Sequence, residues 1–177
     1  MQVTLLRHGA VASQYQGSYI GWLDVALSED SYKQIKQLKH KLQDEHFDAI
    51  YCSDLKRAKD TLAHLCLTPK PHYTPRLREK SWGRHEGMRF EEIVAEGIEY
   101  QDFEQWINAL DGESMESFQY NLASFIEEEI LSKDYKKILI VTHSGVIKML
   151  LHLYCGYTLQ DAFATTLPYT ATLTIDL

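Results

Sequence analysis

The chain has 177 residues, 45% of them hydrophobic and 24% charged, which is the composition of a globular protein that can bury a core, and we expect one domain over residues 1–177. A formal net charge of −7 argues against broad nucleic-acid binding, which needs a basic face. The three cysteines form no CxxC pair, and no secretory signal precedes the first strand-like run. The most apolar stretch, 138–154, is too polar to cross a bilayer. We therefore expect a cytoplasmic protein without a membrane partner.

Three short aliphatic runs predict strands that are buried on both faces: Val3–Leu6, Ala49–Cys52 and Ile138–Val141. Between these runs, apolar residues recur at helical spacing, which predicts amphipathic helices that pack on the sheet. The three apolar stripes are Tyr32, Ile35, Leu38 and Leu42; Ala58, Leu62 and Leu65; and Phe118, Leu122, Phe125, Ile126 and Ile130. The third helix is expected to begin near Ser114, a favourable N-cap residue.

The C-terminal segment has a different period. Apolar residues occupy every second position from Ala171 to Leu177, which predicts a strand with one covered face. Together with Ala162–Leu167, ahead of Pro168-Tyr169, it predicts an antiparallel hairpin added to a parallel sheet. The predicted fold class is therefore α/β, a three-layer α/β/α arrangement with a mixed, mostly parallel central sheet.

Each buried run is followed by side chains that can handle a phosphoryl group. The first run leads into Arg7 and His8, the second into a segment that carries Arg57, and the third into His143. Because ligands of open α/β sheets bind beyond the carboxyl ends of the strands, we expect these side chains to meet at one edge. Neutral imidazole is a nucleophile that forms covalent intermediates, and guanidinium forks bind phosphate oxygens. The pattern predicts phosphoryl transfer. It does not favour a zinc site, because the sequence offers no third ligand at suitable spacing.

A leaving oxygen also needs a proton donor, and the loop-like stretch 77–87 supplies two carboxylates, Glu79 and Glu86. Each singled-out residue also has a simpler interpretation. His8 and His143 taken singly are typical of hydrogen-bonded core histidines, and Arg57 alone is typical of a solvated helix residue. Their joint placement after buried strands favours a site.

These residues lie in motifs that resemble those of the histidine phosphatase superfamily, in its phosphoglycerate-mutase-like branch. Six segments match in order: Leu6-Arg7-His8-Gly9; Gly21-Trp22-Leu23-Asp24 with Leu27-Ser28; Ser53-Asp54-Leu55-Lys56-Arg57-Ala58; Leu77-Arg78-Glu79 with Gly83 and Glu86-Gly87; Gly112-Glu113-Ser114; and Thr142-His143-Ser144-Gly145. The resemblance implies the phosphoglycerate-mutase-like fold and a metal-independent phosphomonoesterase that needs no cofactor.

The resemblance also implies roles for individual residues. His8 is expected to be the nucleophile that becomes phosphohistidine, and Glu79 the acid and base. Arg7, Arg57 and His143 are expected to form the phosphate pocket. The expected substrate contacts are Arg7, Gln14, Gly21, Arg57, His143 and Ser144. The chain departs from the family pattern at Ala10-Val11, Gln14, Ile20, Ser31 and His85, which puts substrate preference in doubt more than activity.

The expected partner is a small-molecule phosphate ester. The short chain and its Gly-Glu-Ser motif resemble the α-ribazole phosphatases, which makes α-ribazole 5′-phosphate of cobalamin biosynthesis a candidate. The segment between Gly87 and Gly112 is acidic and aromatic, a poor clamp for a second anionic group, so hydrolysis is favoured over mutase transfer. A phosphoglycerate-mutase-like or broad sugar-phosphate phosphatase, a phosphohistidine-protein phosphatase and a non-catalytic phospho-ligand binding module stay open. The sequence carries no signal for the oligomeric state.

Overall fold

A five-stranded sheet forms the centre of the computed structural model, which describes residues 1–177. Its strands are β1 (Gln2–Arg7), β2 (Ala49–Ser53), β3 (His72–Thr74), β4 (Lys137–Thr142) and β5 (Thr172–Asp176). They are arranged in the order β3-β2-β4-β1-β5; the first four strands run parallel, and β5 pairs antiparallel with β1. The predicted mixed, mostly parallel sheet is confirmed.

Seven helices surround this sheet: α1 (Ser31–Leu42), α2 (Lys56–Leu65), α3 (Phe90–Ala95), α4 (Phe103–Ala109), α5 (Met115–Phe125), α6 (Ser144–Tyr154) and α7 (Leu159–Ala164). Side chains of successive strand residues point to opposite faces, so Ile50 and Leu139 pack with α1 and α2, whereas Tyr51 and Ile140 pack with α5 and α6. Both faces are covered, which gives the three predicted layers and explains why the strand sequences are continuously apolar. None of the helices combines the length and the apolar character needed to span a lipid bilayer.

Residues 88–111, here called the cap segment, carry α3 and α4 beside the sheet. The cap segment has its own small apolar cluster, in which Ile93, Trp106, Ile107 and Leu110 pack with Trp82. Tyr100, by contrast, is exposed. Most apolar side chains of the cap segment therefore hold it together and fix it beside the carboxyl ends of the strands.

The predicted helices form, with two differences in detail. Ser114 caps α5, since its Oγ accepts a hydrogen bond from Ser117 N at 3.0 Å, and a π-helical turn, Ile126–Leu131, follows the helix. Tyr32 was predicted to lie in the apolar stripe of α1, and this is wrong: it is 40% exposed, and its ring lies against that of His64, with centroids 4.6 Å apart.

The predicted C-terminal hairpin is only half correct. β5 forms as predicted, but Ala162–Leu167 is not a strand, because Leu159–Ala164 is helical. Thr158 Oγ1 accepts a hydrogen bond from Asp161 N at 3.1 Å and starts α7, which buries Ala162 against α6. The chain then crosses through Pro168-Tyr169 to reach β5.

Candidate active site

The sheet brings the chemically active side chains together where its central strands end. β1 and β4 pair in register as far as Arg7 and Thr142, and β2 pairs with the other edge of β4. His8 and His143 therefore follow directly from neighbouring strands, and Ser53 ends β2 beside them. The two imidazole rings meet edge to face, with centroids 5.1 Å apart. The predicted convergence of the strand ends is confirmed.

His8 is held as a neutral imidazole whose Nε2 carries the lone pair. It is 4% exposed, and its Nδ1 lies 2.7 Å from the Gly9 carbonyl oxygen, which can only accept, so Nδ1 carries the proton. Nε2 accepts a hydrogen bond from Arg57 Nε at 3.3 Å. Burial, together with the charge of Arg57, lowers the pKa of His8 well below its usual value. This is the protonation state that a nucleophilic imidazole requires.

Arg57, near the start of α2, is fixed by the loop that precedes α1. Its Nη1 donates to Leu23 O at 2.8 Å and its Nη2 to Gly21 O at 2.7 Å, and only 1% of the residue is exposed. Burial lowers the pKa of Arg57 to about 10, so it remains a cation near neutral pH. Gly21 has a φ of +52°, and a Cβ there would overlap the carboxylate of Glu86. Gly21 thus lines the site and orients Arg57.

Arg7 is sandwiched by the segment that leads to β5. Its guanidinium carbon lies 4.1 Å from the centroid of the Tyr169 ring, and its Nη1 donates to Leu167 O. The Tyr169 ring is also 5.7 Å from that of His8. Arg7 Nε is buried without a hydrogen-bond partner, an orphan donor of the kind that an anion satisfies. Sequence reasoning treated Tyr169 only as part of a turn and missed this contact.

His143 lies behind His8 and does not line the cavity. Its Nε2 is 2.8 Å from Ser53 Oγ, which also accepts from Leu55 N, so the hydroxyl proton is free to donate to Nε2. The proton of neutral His143 then resides on Nδ1, which is buried without a partner. Burial and the charge of Arg57 lower the pKa of His143 well below its usual value. Burial therefore favours the neutral form of both histidines.

Glu79 rests on the amino end of α6. Its Oε2 accepts a hydrogen bond from Gly145 N, and its Oε1 accepts one from Lys80 N, both at 3.0 Å. The approach is close enough that a Cβ at position 145 would overlap the carboxylate. The positive end of the helix dipole and two main-chain donors therefore fix this carboxylate at the edge of the cavity.

The loop that carries Glu79 is tied to the strand ends by side chains. Arg78 forms a bidentate ion pair with Asp54, with both Nε–Oδ1 and Nη2–Oδ2 at 2.7 Å. Thr142 Oγ1 donates to Leu77 O at 2.8 Å. The position of Glu79 relative to the histidines is thus set from β2 and β4.

Glu86, the alternative acid, serves a different purpose. Its Oε1 accepts hydrogen bonds from Trp22 N at 2.9 Å, from Trp82 N at 3.2 Å and from Ser81 Oγ at 3.2 Å, and it does not line the cavity. These bonds clamp two loops together. Of the two carboxylates, only Glu79 lines the cavity together with Arg7 and His8.

A cavity of about 430 Å³ opens over these residues. Six of the predicted site residues line it: Arg7, His8, Gly21, Arg57, Glu79 and Ser144. Sequence reasoning missed further lining side chains, namely Ser18, Tyr19, Lys80, Trp82, Lys148, Phe163 and Tyr169. Phe90, one of the aromatic residues of the cap segment, also lines the cavity. Ser18 Oγ is buried without a partner, a second orphan polar atom in the wall.

The structure does not bring Gln14 to this cavity. Gln14 is exposed and lines a separate depression on the far side of Tyr169, which contributes to both walls. Ser18, four residues later in the same loop, stands in the cavity instead. Nowhere in residues 1–177 do three or more His, Cys, Asp or Glu side chains converge in a way that would hold a metal ion.

Comparison with known proteins agrees with this geometry. The sequence profile of the histidine phosphatase superfamily (branch 1) matches residues 3–177. The adenosylcobalamin/α-ribazole phosphatase of Salmonella typhimurium is 32% identical over 158 residues, 85% of this chain and 78% of the relative. The metal-independent phosphoserine phosphatase of Arabidopsis thaliana is 30% identical over 156 residues, 83% of this chain and 66% of the relative. The crystal structure of the α-ribazole phosphatase from Shigella flexneri superposes with a TM-score of 0.86 at 26% identity, covering 100% of this chain and 91% of that one. From the full-length profile match and these relatives, the chain belongs to the histidine phosphatase superfamily.

Proposed function

We propose that this phosphatase hydrolyses small phosphate monoesters through a phosphohistidine on His8. The observation that carries the proposal is the neutral, Arg57-oriented Nε2 of His8, which shares one cavity with the carboxylate of Glu79. The family membership supports phosphatase activity, and the geometry supports an assignment of roles to these side chains.

In the first step, His8 Nε2 attacks phosphorus and the bond from phosphorus to the ester oxygen breaks. The protonated carboxyl of Glu79 gives its proton to that oxygen, so the alcohol leaves uncharged. Arg7 and Arg57 neutralise the charge on the phosphoryl oxygens.

In the second step, the carboxylate of Glu79 takes a proton from water as the water oxygen attacks phosphorus. The bond from phosphorus to His8 breaks and inorganic phosphate is released. His8 Nδ1 keeps its hydrogen bond to Gly9 O in both steps, so the ring orientation stays fixed while Nε2 gains and loses the phosphoryl group.

The cavity wall favours a leaving group with a flat or apolar part. Tyr19, Trp82, Phe90 and Phe163 line it, and aromatic faces bind rings by stacking. α-Ribazole 5′-phosphate is one candidate substrate with such a ring, and the names of the relatives in Salmonella and Shigella support testing it. Phosphoserine is a second candidate, supported by the name of the Arabidopsis relative.

We further propose that the enzyme works as one domain in the cytoplasm, without a nucleic-acid or membrane partner. The net charge of −7 and three free cysteines support this setting.

Turnover of p-nitrophenyl phosphate by wild type and His8→Ala, with exposed His40→Ala as control, tests the proposal. We expect about a thousandfold or greater loss of kcat for His8→Ala and little change for His40→Ala. Quenching wild type and radiolabelled substrate with alkaline detergent should trap an acid-labile, alkali-stable phosphoenzyme that His8→Ala lacks. Equal turnover by wild type and His8→Ala would exclude His8 as nucleophile, and phosphate-ester binding without turnover would indicate a binding module.

A further inference from the structure

A short loop, residues 21–24, connects the two chemical halves of the site. The carbonyl oxygens on either side of Trp22 accept hydrogen bonds from Arg57, at 2.7 Å and 2.8 Å. Arg57 in turn donates to His8 Nε2 at 3.3 Å. Trp22 itself reaches the other half, since its indole Nε1 donates to the main-chain oxygen of Glu79 at 2.8 Å. The nucleophile and the carboxylate are therefore linked through one loop.

The contact from Trp22 is the only hydrogen bond that the main chain of Glu79 makes within the protein. The carboxylate oxygens are held by Gly145 N and Lys80 N. Those two bonds restrain the end of the side chain, whereas the bond from the indole restrains the backbone from which the side chain starts. The position of the Glu79 Cα therefore depends on Trp22.

Trp22 is fixed from further directions although it lies at the surface. Its main-chain N–H donates to Glu86 Oε1 at 2.9 Å, and the guanidinium carbon of Arg78 lies 5.0 Å from the centroid of its ring. Lys56 N donates to Asp24 Oδ1 at 2.6 Å and so ties the end of the loop to the start of α2. Trp22 is 45% exposed and does not line the cavity, so neither core packing nor substrate contact accounts for its defined position.

We propose that Trp22 is a positioning residue that holds Glu79, the acid, where it can protonate the leaving oxygen. Loss of the indole N–H frees the main chain at residue 79, and proton transfer is sensitive to small displacements of the donor. The contacts to Arg57 come from main-chain carbonyls and remain when the side chain changes, so attack by His8 is affected less. The proposal rests on the proposed phosphatase mechanism and adds a residue that acts without touching the substrate.

Two substrates with leaving groups of different quality report on proton donation. Benzyl phosphate and p-nitrophenyl phosphate each carry one aromatic ring, but a benzyl alkoxide needs a proton to leave, whereas nitrophenolate leaves as a stable anion. The ratio of their kcat/KM values, p-nitrophenyl over benzyl, therefore rises when the acid is displaced. kcat/KM covers the steps up to the phosphoenzyme, and the ratio does not depend on the fraction of folded enzyme, so a loss of stability alone leaves it unchanged.

Trp22→Phe removes the indole N–H and keeps an aromatic ring near Arg78. We expect kcat/KM to fall by about fivefold or more for benzyl phosphate, the size of one hydrogen bond, and by less than about twofold for p-nitrophenyl phosphate. Trp22→Leu, a second variant without the donor, should raise the ratio at least as much. Tyr120→Phe, which removes a polar group from a 74% exposed aromatic residue on α5, is the control and should leave the ratio unchanged.

Glu79→Gln provides the reference for complete loss of the acid. We expect this variant to raise the ratio further than Trp22→Phe does, because proton donation is then absent rather than displaced. In the Glu79→Gln background, Trp22→Phe should change the ratio little, since the group that Trp22 positions no longer donates a proton.

The outcomes separate the two proposals. If Glu79→Gln raises the ratio while Trp22→Phe and Trp22→Leu leave it at the wild-type value, the role of Trp22 is overturned and the phosphatase mechanism stands. A rise for Trp22→Phe that is equally large in the Glu79→Gln background would also overturn it, because Trp22 would then act through another group. A ratio that Glu79→Gln leaves unchanged would contradict the acid assigned in the proposed function, and the inference about Trp22 would fall with it.

Discussion

Single atoms decide whether this site is assembled, and Gly145 shows this most directly. The main-chain N–H at the start of α6 reaches Glu79 Oε2 at 3.0 Å only because residue 145 has no side chain. Gly9 is a second example, since a Cβ directly after His8 would overlap Ser31 Oγ. The motif glycines therefore allow close approach between segments distant in the sequence, which a motif match alone does not reveal.

Gly145→Ala should separate activity from stability. Alanine favours the helical conformation, so we expect the free energy of unfolding to stay within about 1 kcal/mol of the wild-type value. The displaced Glu79 carboxylate should lower kcat by about tenfold or more, since small misplacements of catalytic groups are costly. Steady-state kinetics and urea denaturation measure the two effects.

A double-mutant cycle provides the control. In a Glu79→Ala background the carboxylate is gone, and Gly145→Ala should then change kcat little. Equal losses in both backgrounds would show that Gly145 acts through something other than Glu79.

At the scale of elements, the buried strands were the most predictable part of the fold. Continuous aliphatic runs identify strands with two covered faces, and the topology then places Arg7, His8 and His143 together. β3 was missed because it has only three residues, of which His72 and Tyr73 are exposed and give no pattern. Ala162–Leu167 was misassigned because its short apolar run fits a strand or a helix, and the Thr158 cap decides between them.

The site was predictable to the same extent, and for related reasons. Residues on strand ends and in contiguous motifs could be located, whereas Tyr169, Lys148 and Ser18 reach the cavity through tertiary packing of α6, α7 and two loops. No local pattern signals such a placement. Gln14 shows the converse, since its position in the motif suggested a contact that the path of the loop does not provide.

The ion pair of Arg78 with Asp54 links two such elements, and we expect Asp54→Asn to loosen the loop of Glu79. A bidentate, partly exposed pair contributes about 1 kcal/mol to stability after solvent screening, so the free energy of unfolding should fall by about that amount. We expect kcat to fall by a larger proportion than the stability does. Kinetics and thermal unfolding measure both. Asp60→Asn, which breaks the more exposed pair with Lys56 on α2, is the control and should leave kcat unchanged; a similar fall in both variants would contradict a specific role for Asp54.

For the whole molecule, two fully buried neutral histidines make stability depend on pH. Burial lowers the pKa values of His8 and His143 in the folded protein, so the unfolded chain binds more protons once the pH falls below about 6.5. The contribution of the two neutral histidines to the free energy of unfolding is therefore present at and above neutral pH, and it is lost as the pH falls.

Urea denaturation between pH 7.5 and pH 5 measures this linkage. We expect the free energy of unfolding to fall toward acid pH with a slope that approaches roughly 1.4 kcal/mol per pH unit for each of the two histidines. His8→Asn should remove the part of this slope that one histidine contributes. His40→Gln, at an exposed histidine, should leave the slope unchanged. A slope that His8→Asn does not alter would show that His8 is not held neutral.

The in-register pairing of β1 with β4 has a further consequence. Main-chain hydrogen bonds between adjacent strands set the spacing of the two histidines, whereas much of the remaining cavity wall comes from the cap segment, α7 and nearby loops. We therefore expect reaction type and substrate choice to depend on physically separate parts of the chain. A cap segment transplanted from a relative would alter which alcohol is released while the phosphorus-attacking machinery stays in place.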